Sequence, residues 1–405
     1  MNVLFLSPGY PPEMPKFTRG LSQAGASVIG LGDQHEHAIP EEARRHLAMY
    51  VRVGGFANED AIVAQVVELS RRVRIERVAC LWEPLMVLAA RLRETLGLPG
   101  MTVAETVPFR DKESMKQVLE AAGLRVPHHA RARSVAEAEA AIERIGFPAI
   151  LKPIAGAGSK DTHRVNDRAE LNAALEWTRH VPEVSVEEFI EGEEFTFDTI
   201  CGDGQMLFHN ICAYRPRPLI ARQLLWISPQ TVALRNPDVP YLEGGRRLGE
   251  AVLRAMNFRT GFTHMEWHRK ADGEAVFGEI AARPPGAFTV DIMNFANDAD
   301  LFRGWAEVEL RGRLHEPATR RYNCASIFKR AQGEGRIQRI EGLGELMSEF
   351  APHIVVVDLL PIGAQRRDPM QTLISDGMVI VRHADLDRCI EIADRVGTDL
   401  RMIAG

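Results

Sequence analysis

The segment from Gly261 to Gly286, GFTHMEWHRKADGEAVFGEIAARPPG, constrains the fold of this chain more than any other stretch. Two β-like runs flank Asp272-Gly273, a dipeptide typical of two-residue hairpin loops. With such a loop, Glu266 lies directly opposite Glu279. Like charges in that position cost about 0.2–1 kcal/mol, and burial of an unpaired carboxylate costs more. A divalent cation removes the penalty, and Mg²⁺ favours one or two carboxylates together with substrate phosphates. We therefore predict a metal site at this pair.

Two other interpretations of the hairpin remain open. Both glutamates can point into water from a solvated face. A zinc site is the second alternative, because His264, Glu266 and His268 share one face at a period of two. Arg283 follows Glu279 by four residues and is suited to hold a phosphate or carboxylate in bidentate fashion, or to form a structural ion pair with Glu279.

A second element combines a lysine with a loop of small residues. Lys152 stands at the end of an apolar run, and Gly156, Gly158 and Ser159 follow within the segment 156–160. A cation beside free backbone N–H groups can cradle phosphates, although the segment does not match the Walker A pattern GxxxxGK[ST]. Small-residue turns are common, so this loop alone indicates little.

A third element, residues 186–198, mixes acidic and apolar residues around Gly192. It can offer backbone groups to the edge of a purine, apolar side chains to its faces and a carboxylate to ribose hydroxyls. An ordinary hairpin with an acidic turn is the alternative.

Length and charge narrow the class of protein. The 405 residues allow two to four domains, and 49 Lys+Arg against 55 Asp+Glu give a net charge of −6. We expect no nucleic-acid surface, because duplex binding needs clustered basic residues. We expect no membrane span and no signal peptide, because no apolar run is long enough and the amino terminus lacks a basic flank and a cleavage site. The five cysteines, an odd number without CxxC, indicate reduced thiols in a cytoplasmic protein.

Strand and helix patterns alternate through the first hundred residues, which predicts a small doubly wound parallel sheet. No GxGxxG follows the first strand, so a dinucleotide site there is not expected. The predicted strands are 2–7, 26–31, 78–82, 147–152, 184–189, 194–201, 261–269, 275–281, 354–360 and 378–382. The predicted helices are 16–24, 61–74, 85–96, 112–122, 134–145 and 386–396, and residues 101–111 are expected to be turn-like and extended.

In this order and spacing, the three elements resemble the ATP-grasp ligase superfamily, and the similarity extends to Asp111-Lys112 before the segment 122–127. The resemblance implies an ATP-grasp fold of mixed α/β and α+β class. It divides the chain into a doubly wound pre-grasp domain (1–105), an ATP-grasp domain (106–315) and a carboxy-terminal α+β lobe (316–405). It also implies ATP and Mg²⁺ or Mn²⁺ as cofactors.

The resemblance assigns a role to each matching residue. Nucleotide phosphates would contact Lys112, Lys152 and the 156–160 loop, with Gly156, Gly158 and Ser159. Adenine would be read by Glu187, Glu188, Phe189 and Ile190, ribose by Glu194, and the metal by Glu266 and Glu279. Arg283 and Lys152 would act in catalysis, Arg283 by stabilising the transferring phosphoryl group and the tetrahedral intermediate.

One position departs from the family. Many members carry Glu-x-Asn-x-Arg with the asparagine as a third metal ligand, whereas this chain has Ala281 there. The EIAARPPG form resembles the carboxylate–amine ligases, including L-amino-acid ligases. The resemblance implies an acyl-phosphate formed from a small carboxylate and captured by an amine, with a homodimer left open. A carboxyphosphate-using carboxylase and a catalytically silent ATP-binding regulator are the alternatives.

Substrate identity is a further hypothesis. Three arginines and two aromatic residues lie between the third element and the hairpin, and a solvated basic loop is the alternative to a binding role. The candidates for binding or shaping the substrate pocket are Arg215, Arg217, Arg222, Trp226 and His264.

Overall fold

A computed structural model describes residues 1–155, 161–369, 372 and 374–405 of the protein. Within these ranges, the strands are β1 (Asn2–Leu6), β2 (Ser27–Gly32), β3 (Met49–Arg52), β4 (Arg77–Cys80), β5 (His129–Ala132), β6 (Ala149–Pro153), β7 (His163–Val165), β8 (Val184–Glu188), β9 (Glu193–Gly202), β10 (Gln205–Asn210), β11 (Cys212–Arg215), β12 (Gln230–Ala233), β13 (Gly261–Arg269), β14 (Ala275–Ala281), β15 (Asn323–Phe328), β16 (Ile337–Glu341), β17 (Ile354–Leu359), β18 (Gly377–His383) and β19 (Arg401–Ala404).

The helices are α1 (Met14–Gln23), α2 (Glu41–Arg44), α3 (Glu59–Ser70), α4 (Met86–Leu96), α5 (Val103–Thr106), α6 (Lys112–Ala121), α7 (Val135–Ile145), α8 (Arg168–Trp177), α9 (Pro218–Gln223), α10 (Glu243–Ala255), α11 (Thr289–Asn297), α12 (Leu301–Arg311), α13 (Leu343–Phe350) and α14 (Leu386–Asp399). Short 3₁₀ turns lie at Glu36–Ala38, Glu83–Leu85, Val107–Phe109 and Pro240–Leu242.

The amino-terminal region is a parallel sheet in the order β3-β2-β1-β4. Its central strand β1 is apolar because both of its faces are covered. Val3 and Phe5 pack into the cluster that contains α1 and α12, and Leu4 and Leu6 into the cluster that contains α3 and α4. This confirms the doubly wound sheet predicted from the alternation of strands and helices.

A small antiparallel sheet, β5-β8-β6-β7, follows. The apolar faces of α7 and α8 cover one side of it, through residues such as Ala141 and Leu171. Lys152 lies on β6, and Glu187 lies on the neighbouring strand β8.

A large sheet in the order β14-β13-β9-β11-β12-β15-β18-β17 joins the central and carboxy-terminal parts of the chain, with β10 paired to β9. The sheet crosses the predicted boundary at residue 315, because β12 pairs with β15 from Gln230↔Ile327 to Ala233↔Cys324. The division into three domains stays a prediction. The link between β8 and β9 connects two different sheets, so residues 186–198 do not form the ordinary hairpin that was the alternative for this segment.

The β13–β14 hairpin differs from the predicted two-residue loop. Lys270 N donates to Glu274 O at 2.9 Å, and the turn between them contains Gly273 at φ +91°. The longer loop shifts the register by one residue, and a bulge restores it: Trp267 pairs with Phe277, but Glu266 pairs with Glu279. Gly278 is the extra residue. The predicted opposition of the two glutamates is therefore confirmed, although the turn predicted to produce it is wrong.

For residues 101–111, the turn-like part of the expectation is confirmed and the extended part is wrong. A capping box between Thr102 and Glu105 starts the short helix α5, and a 3₁₀ turn follows it. All five cysteines are free. Within the described ranges, no helix is long and apolar enough to cross a membrane.

Candidate active site

A cleft of about 1040 Å³, including its open mouth, lies between the small and the large sheet. Most of the predicted site residues line it. The lining consists of Lys112, Pro127, Ile150, Lys152, Pro153, Thr162, Glu187, Glu188, Phe189, Ile190, Glu194, Arg217, Leu219, His264, Glu266, His268, Gly278, Glu279, Ala281 and Arg283.

The floor of the cleft is the face that β9, β13 and β14 share. Side chains of alternate residues form three cross-strand rows on this face, because the side-chain period of a strand is two. The rows are Glu194 with His268, then Thr196 with Glu266 and Glu279, then Asp198 with His264 and Ala281.

Lysine side chains from α6 and β6 lie on the opposite side of the cleft. Lys112 lies at the start of α6, where the Asp111 side chain caps the helix by accepting from Ser114 N at 2.8 Å. Its Nζ lies 3.1 Å from Glu279 Oε1. Lys152 Nζ lies 3.9 Å from Glu279 Oε2. Both predicted phosphate-binding lysines are thus held beside one of the predicted metal ligands.

Lys152 is also held from behind by Glu187, at 2.9 Å from Oε2. Glu187 Oε1 accepts hydrogen bonds from Lys116 Nζ and from Ser185 Oγ, each at 2.8 Å. Burial alone would raise the pKa of Glu187, but Lys116 and Lys152 outweigh it and hold the pKa well below its usual range. Burial alone would likewise lower the pKa of Lys152, whereas Glu187 and Glu279 raise it. The Glu187 carboxylate therefore forms ion pairs with Lys116 and Lys152.

Sequence reasoning missed Lys116. It is completely buried, and it follows Lys112 by one helical turn on α6. That i,i+4 spacing was the available signal, but only the structure shows that Lys116 reaches Glu187.

The predicted adenine segment is the linker between the two sheets. The Glu188 side chain is held by Arg125 Nη2 at 2.9 and 3.0 Å and by His128 N at 3.1 Å. Phe189 N donates to Pro148 O at 3.2 Å. Among the hydrogen bonds of the described residues, none uses the backbone N–H of Ile190, which leaves a donor beside the cleft for a ligand.

Glu194 lies at the beginning of β9, with 9% of its surface exposed. Arg217 Nε donates to Glu194 Oε2 at 3.2 Å, and Arg217 Nη1 donates to Ile190 O at 3.1 Å. Burial, and then the negative charge of Glu266, raise the pKa of Glu194 to about 7. Arg217 therefore lines the cleft and contacts both the predicted adenine segment and the predicted ribose carboxylate, and its role in binding the substrate stays a prediction.

The pair Glu266 and Glu279 has a donor set that suits a hard divalent cation completed by phosphate oxygens and water. Tyr214 Oη donates to Glu266 Oε1 at 3.4 Å. Within the described parts of the chain, no group of three or more His, Cys, Asp or Glu side chains is arranged to hold a metal ion. The geometry thus gives no support to the closed zinc site that was one alternative.

His264 lies next to this pair, opposite Ala281. Its Nδ1 lies 2.6 Å from Asp198 Oδ1, and its Nε2 lies 3.6 Å from Glu266 Oε1. Burial alone would lower the pKa of His264, but Asp198 outweighs it and raises the pKa to about 9. An imidazolium therefore lies across the strand pair from Ala281.

His268 differs from His264 in its surroundings. Burial, and then the nearby Arg217, lower the pKa of His268 to about 3, which keeps the ring neutral. Its Nδ1 is buried, and within the described parts of the chain no group forms a hydrogen bond with it.

Arg283 is positioned by the amino-terminal region. Its Nε donates to Glu83 Oε2 at 2.7 Å, and Nη1 donates to Pro284 O at 2.9 Å. Arg110 holds the other oxygen of Glu83. Glu83 follows β4 at the carboxyl end of the parallel sheet, a position where functional side chains are common. Sequence reasoning missed it, because nothing near Glu83 in the chain indicates a partner two hundred residues away.

Three of the predicted substrate residues lie outside this cleft lining. Arg215 binds Gln230 at 2.6 Å and Asp394 at 2.9 Å, which makes it an ion pair with α14. Trp226 is 78% exposed. Arg222 is half-buried, and burial lowers its pKa. Gly156, Gly158 and Ser159 lie outside the described residues.

Comparisons with known proteins identify the family and the fold. The family profile described as an ATP-grasp N-terminal domain matches residues 22–100, and the ATP-grasp domain profile matches residues 145–291. An uncharacterised protein y4rH of Sinorhizobium fredii (strain NBRC 101917 / NGR234) is 29% identical over 71% of this chain and 59% of its own length. An L-arginine-specific L-amino acid ligase of Bacillus subtilis is 30% identical over 48% of each chain. These matches span about half of the length of each curated relative.

A similar fold has been solved experimentally. The crystal structure of an L-amino acid ligase from Bacillus licheniformis superposes with a TM-score of 0.79 at 19% identity and covers 100% of this chain and 98% of that one. At that identity, the likeness concerns the fold alone.

Proposed function

The chain belongs to the ATP-grasp superfamily, and from that premise we propose that it is an ATP-dependent ligase that joins a small carboxylate to an amine. The observation that carries the proposal is the facing pair Glu266 and Glu279 between Lys112, Lys152 and Arg283. Two carboxylates and three cations around one cleft suit a metal-bound triphosphate better than a neutral ligand.

In the proposed reaction, a carboxylate oxygen of the substrate attacks the γ-phosphorus of ATP, and the bond to the β-phosphate oxygen breaks. This gives ADP and an acyl-phosphate. An amine then attacks the acyl carbon, the carbon–oxygen bond breaks, and phosphate leaves while the nitrogen loses a proton. Phosphoryl transfer of this kind depends mainly on positioning and charge neutralisation.

The positively charged groups have different tasks in this scheme. Lys112 and Lys152 would hold the phosphates. Arg283, with Nε fixed by Glu83, would direct the remaining guanidinium N–H groups to the transferring group and then to the tetrahedral intermediate. Mg²⁺ held by Glu266 and Glu279 would neutralise charge on the phosphates. The imidazolium of His264 adds a positive charge on the side where Ala281 cannot coordinate.

Amino acids are the proposed substrate class. The similarity to an L-arginine-specific L-amino acid ligase supports this choice. Arg215 and Trp226 lie outside the cleft lining. Arg217 lines the cleft but pairs with Glu194 at the nucleoside end, so His264, beside Glu266, is the predicted substrate residue nearest the reacting groups.

The test is ADP release by the full chain with Mg²⁺, ATP and pairs of amino acids, followed by mass spectrometry of the products. Release that needs both amino acids and yields a dipeptide mass supports the proposal. Release that needs bicarbonate indicates a carboxyphosphate-using carboxylase instead. ATP binding without turnover under any pair indicates the silent regulator. The Glu266→Gln, Glu279→Gln double variant measures background turnover without the metal pair.

A further inference from the structure

His268 is a polar side chain of the cleft that the proposed reaction does not use. It lies on β13 opposite Glu194 and lines the cleft. Its Nδ1 is buried and has no hydrogen-bond partner among the residues that the structure describes. Buried polar atoms are rarely left unpaired, and an orphaned one calls for an explanation such as a missing ligand.

Glu194 has a matching unused atom. Arg217 takes its Oε2. Among the described residues, no hydrogen bond involves Glu194 Oε1. A cross-strand pair brings Cβ atoms to about 5 Å of each other. The imidazole nitrogen and the carboxylate oxygen thus offer two neighbouring hydrogen-bonding groups to one ligand.

The position of this pair along the strands indicates which part of the ligand it meets. Glu266 and Glu279 lie two residues further along, or about 6.8 Å away. The linker with the unused Ile190 N–H lies on the other side, just before β9. A nucleoside triphosphate laid along the strands, with its base at the linker and its metal-bound phosphates at Glu266 and Glu279, places its ribose at Glu194 and His268.

Ribose suits the chemistry of the pair. Its vicinal hydroxyls can each donate and accept a hydrogen bond. A carboxylate oxygen accepts, and an imidazole nitrogen accepts or donates according to its tautomer. Arg217 is already engaged, because it pairs with Glu194 and its guanidinium lies over Phe189, 5.0 Å from the ring centre.

We propose that His268, together with Glu194, binds the ribose hydroxyls and makes the protein prefer ribonucleoside over deoxyribonucleoside triphosphates. This inference rests on the proposed function, since it requires ATP in the cleft. It adds a specificity residue to the carboxylate that the family resemblance indicates.

The experiment compares the binding of ATP, 2′-deoxyATP and 3′-deoxyATP to the full chain by calorimetry with Mg²⁺. The variants are His268→Leu, which removes the hydrogen bond at similar volume, and His268→Gln, which can restore it. His37→Leu, an exposed histidine in the amino-terminal region, is the matched control. Thermal unfolding of each variant reports folding.

We expect the natural protein to bind ATP about fivefold more tightly than one of the deoxy analogues, the value of one hydrogen bond of average strength. His268→Leu should weaken ATP binding to the level of that analogue and leave the analogue's affinity within about twofold. His268→Gln should recover part of the preference, and His37→Leu should change nothing.

Other results overturn the inference. If the natural protein binds all three nucleotides equally, or if His268→Leu weakens all three alike, His268 has no role in reading ribose. Should His268→Leu fail to fold, the analogue preference of the natural protein and of His268→Gln decides. Failure of the natural protein to bind any nucleotide refutes the proposed function itself, which is a separate outcome.

Discussion

Replacement of Gly278 by alanine tests whether the bulge in β14 positions the metal pair. A Cβ at Gly278 would lie 2.8 Å from Glu266 O and 3.2 Å from the carbonyl carbon of the same residue. Carbon and oxygen atoms that are not bonded prefer separations above about 3.3 Å, so the two strands must move apart by roughly half an ångström. The neighbour is backbone, which cannot rotate away.

The displacement acts on the residue that holds the metal. Functional groups need to keep their geometry within about 0.5 Å, and a misplacement of about 1 Å can cost a hundredfold in rate. We therefore expect Gly278→Ala to lower kcat/KM by about tenfold to a hundredfold, with overpacking of about 1–3 kcal/mol in stability. Affinity for Mn²⁺ in the presence of ADP should fall in parallel.

The assays are ADP release, Mn²⁺ binding by electron paramagnetic resonance and urea unfolding. Gly344→Ala is the control, because Gly344 lies in helix α13 with nothing within 4 Å of a Cβ. It should gain up to about 1 kcal/mol in stability and keep full activity. If Gly278→Ala retains activity and Mn²⁺ affinity within about twofold, the bulge does not position Glu266, and the reasoning is wrong.

Three further predictions concern side chains around the cleft. Lys116→Met should destabilise the protein by about 3–5 kcal/mol in urea unfolding, because it leaves the buried Glu187 with one lysine fewer. It should also raise KM for ATP. A loss of unfolding free energy no larger than that of an exposed lysine variant would contradict this. Glu83→Gln should lower kcat about tenfold with little change in the Kd of ATP, because Glu83 orients Arg283 and lies away from the nucleoside end of the cleft; an equal change in both constants would count against it. The pKa of Glu194 is higher in the folded state than in the unfolded state, so the stability that Glu194 contributes falls as pH rises from about 4.5 through about 7. In thermal unfolding, Glu194→Gln should therefore gain stability relative to the natural protein over this pH range. A difference that does not depend on pH would refute the raised pKa.

Each of the ten predicted strands and six predicted helices corresponds to an element of the structure, but nine other strands and eight other helices of the described residues were not predicted. Strands such as β1 and β13 and the end of α4 at Gly97 follow from apolar runs, alternation and a left-handed glycine, which depend on neighbours in the chain. The opposition of Glu266 and Glu279 was predicted as well, but through two errors that cancel. A hairpin turn and a bulge of one residue each depend on backbone packing that a period-two pattern does not encode.

The roles of single side chains at the edges of the site were harder to predict. Arg215 was a candidate substrate ligand because it lies in a segment with other arginines and aromatic residues, yet it pairs with Asp394 in α14. Arg283 has its partner in Glu83 of the amino-terminal region. Both partners are distant in the chain, so no local spacing relates them.

The sequence by itself determined about half of the strands and helices and the parallel sheet at the amino terminus, and its resemblance to a family indicated the charged residues that can meet a triphosphate. These properties come from side-chain periodicity and residue chemistry, which act over a few neighbours. Only the tertiary structure decided which charges meet. It encloses Glu187 between Lys116 and Lys152, and it leaves His268 Nδ1 without a hydrogen-bond partner among the described residues. The reason is physical: the pairing of buried charges depends on distances between sheets, and those distances arise only when the separate layers pack.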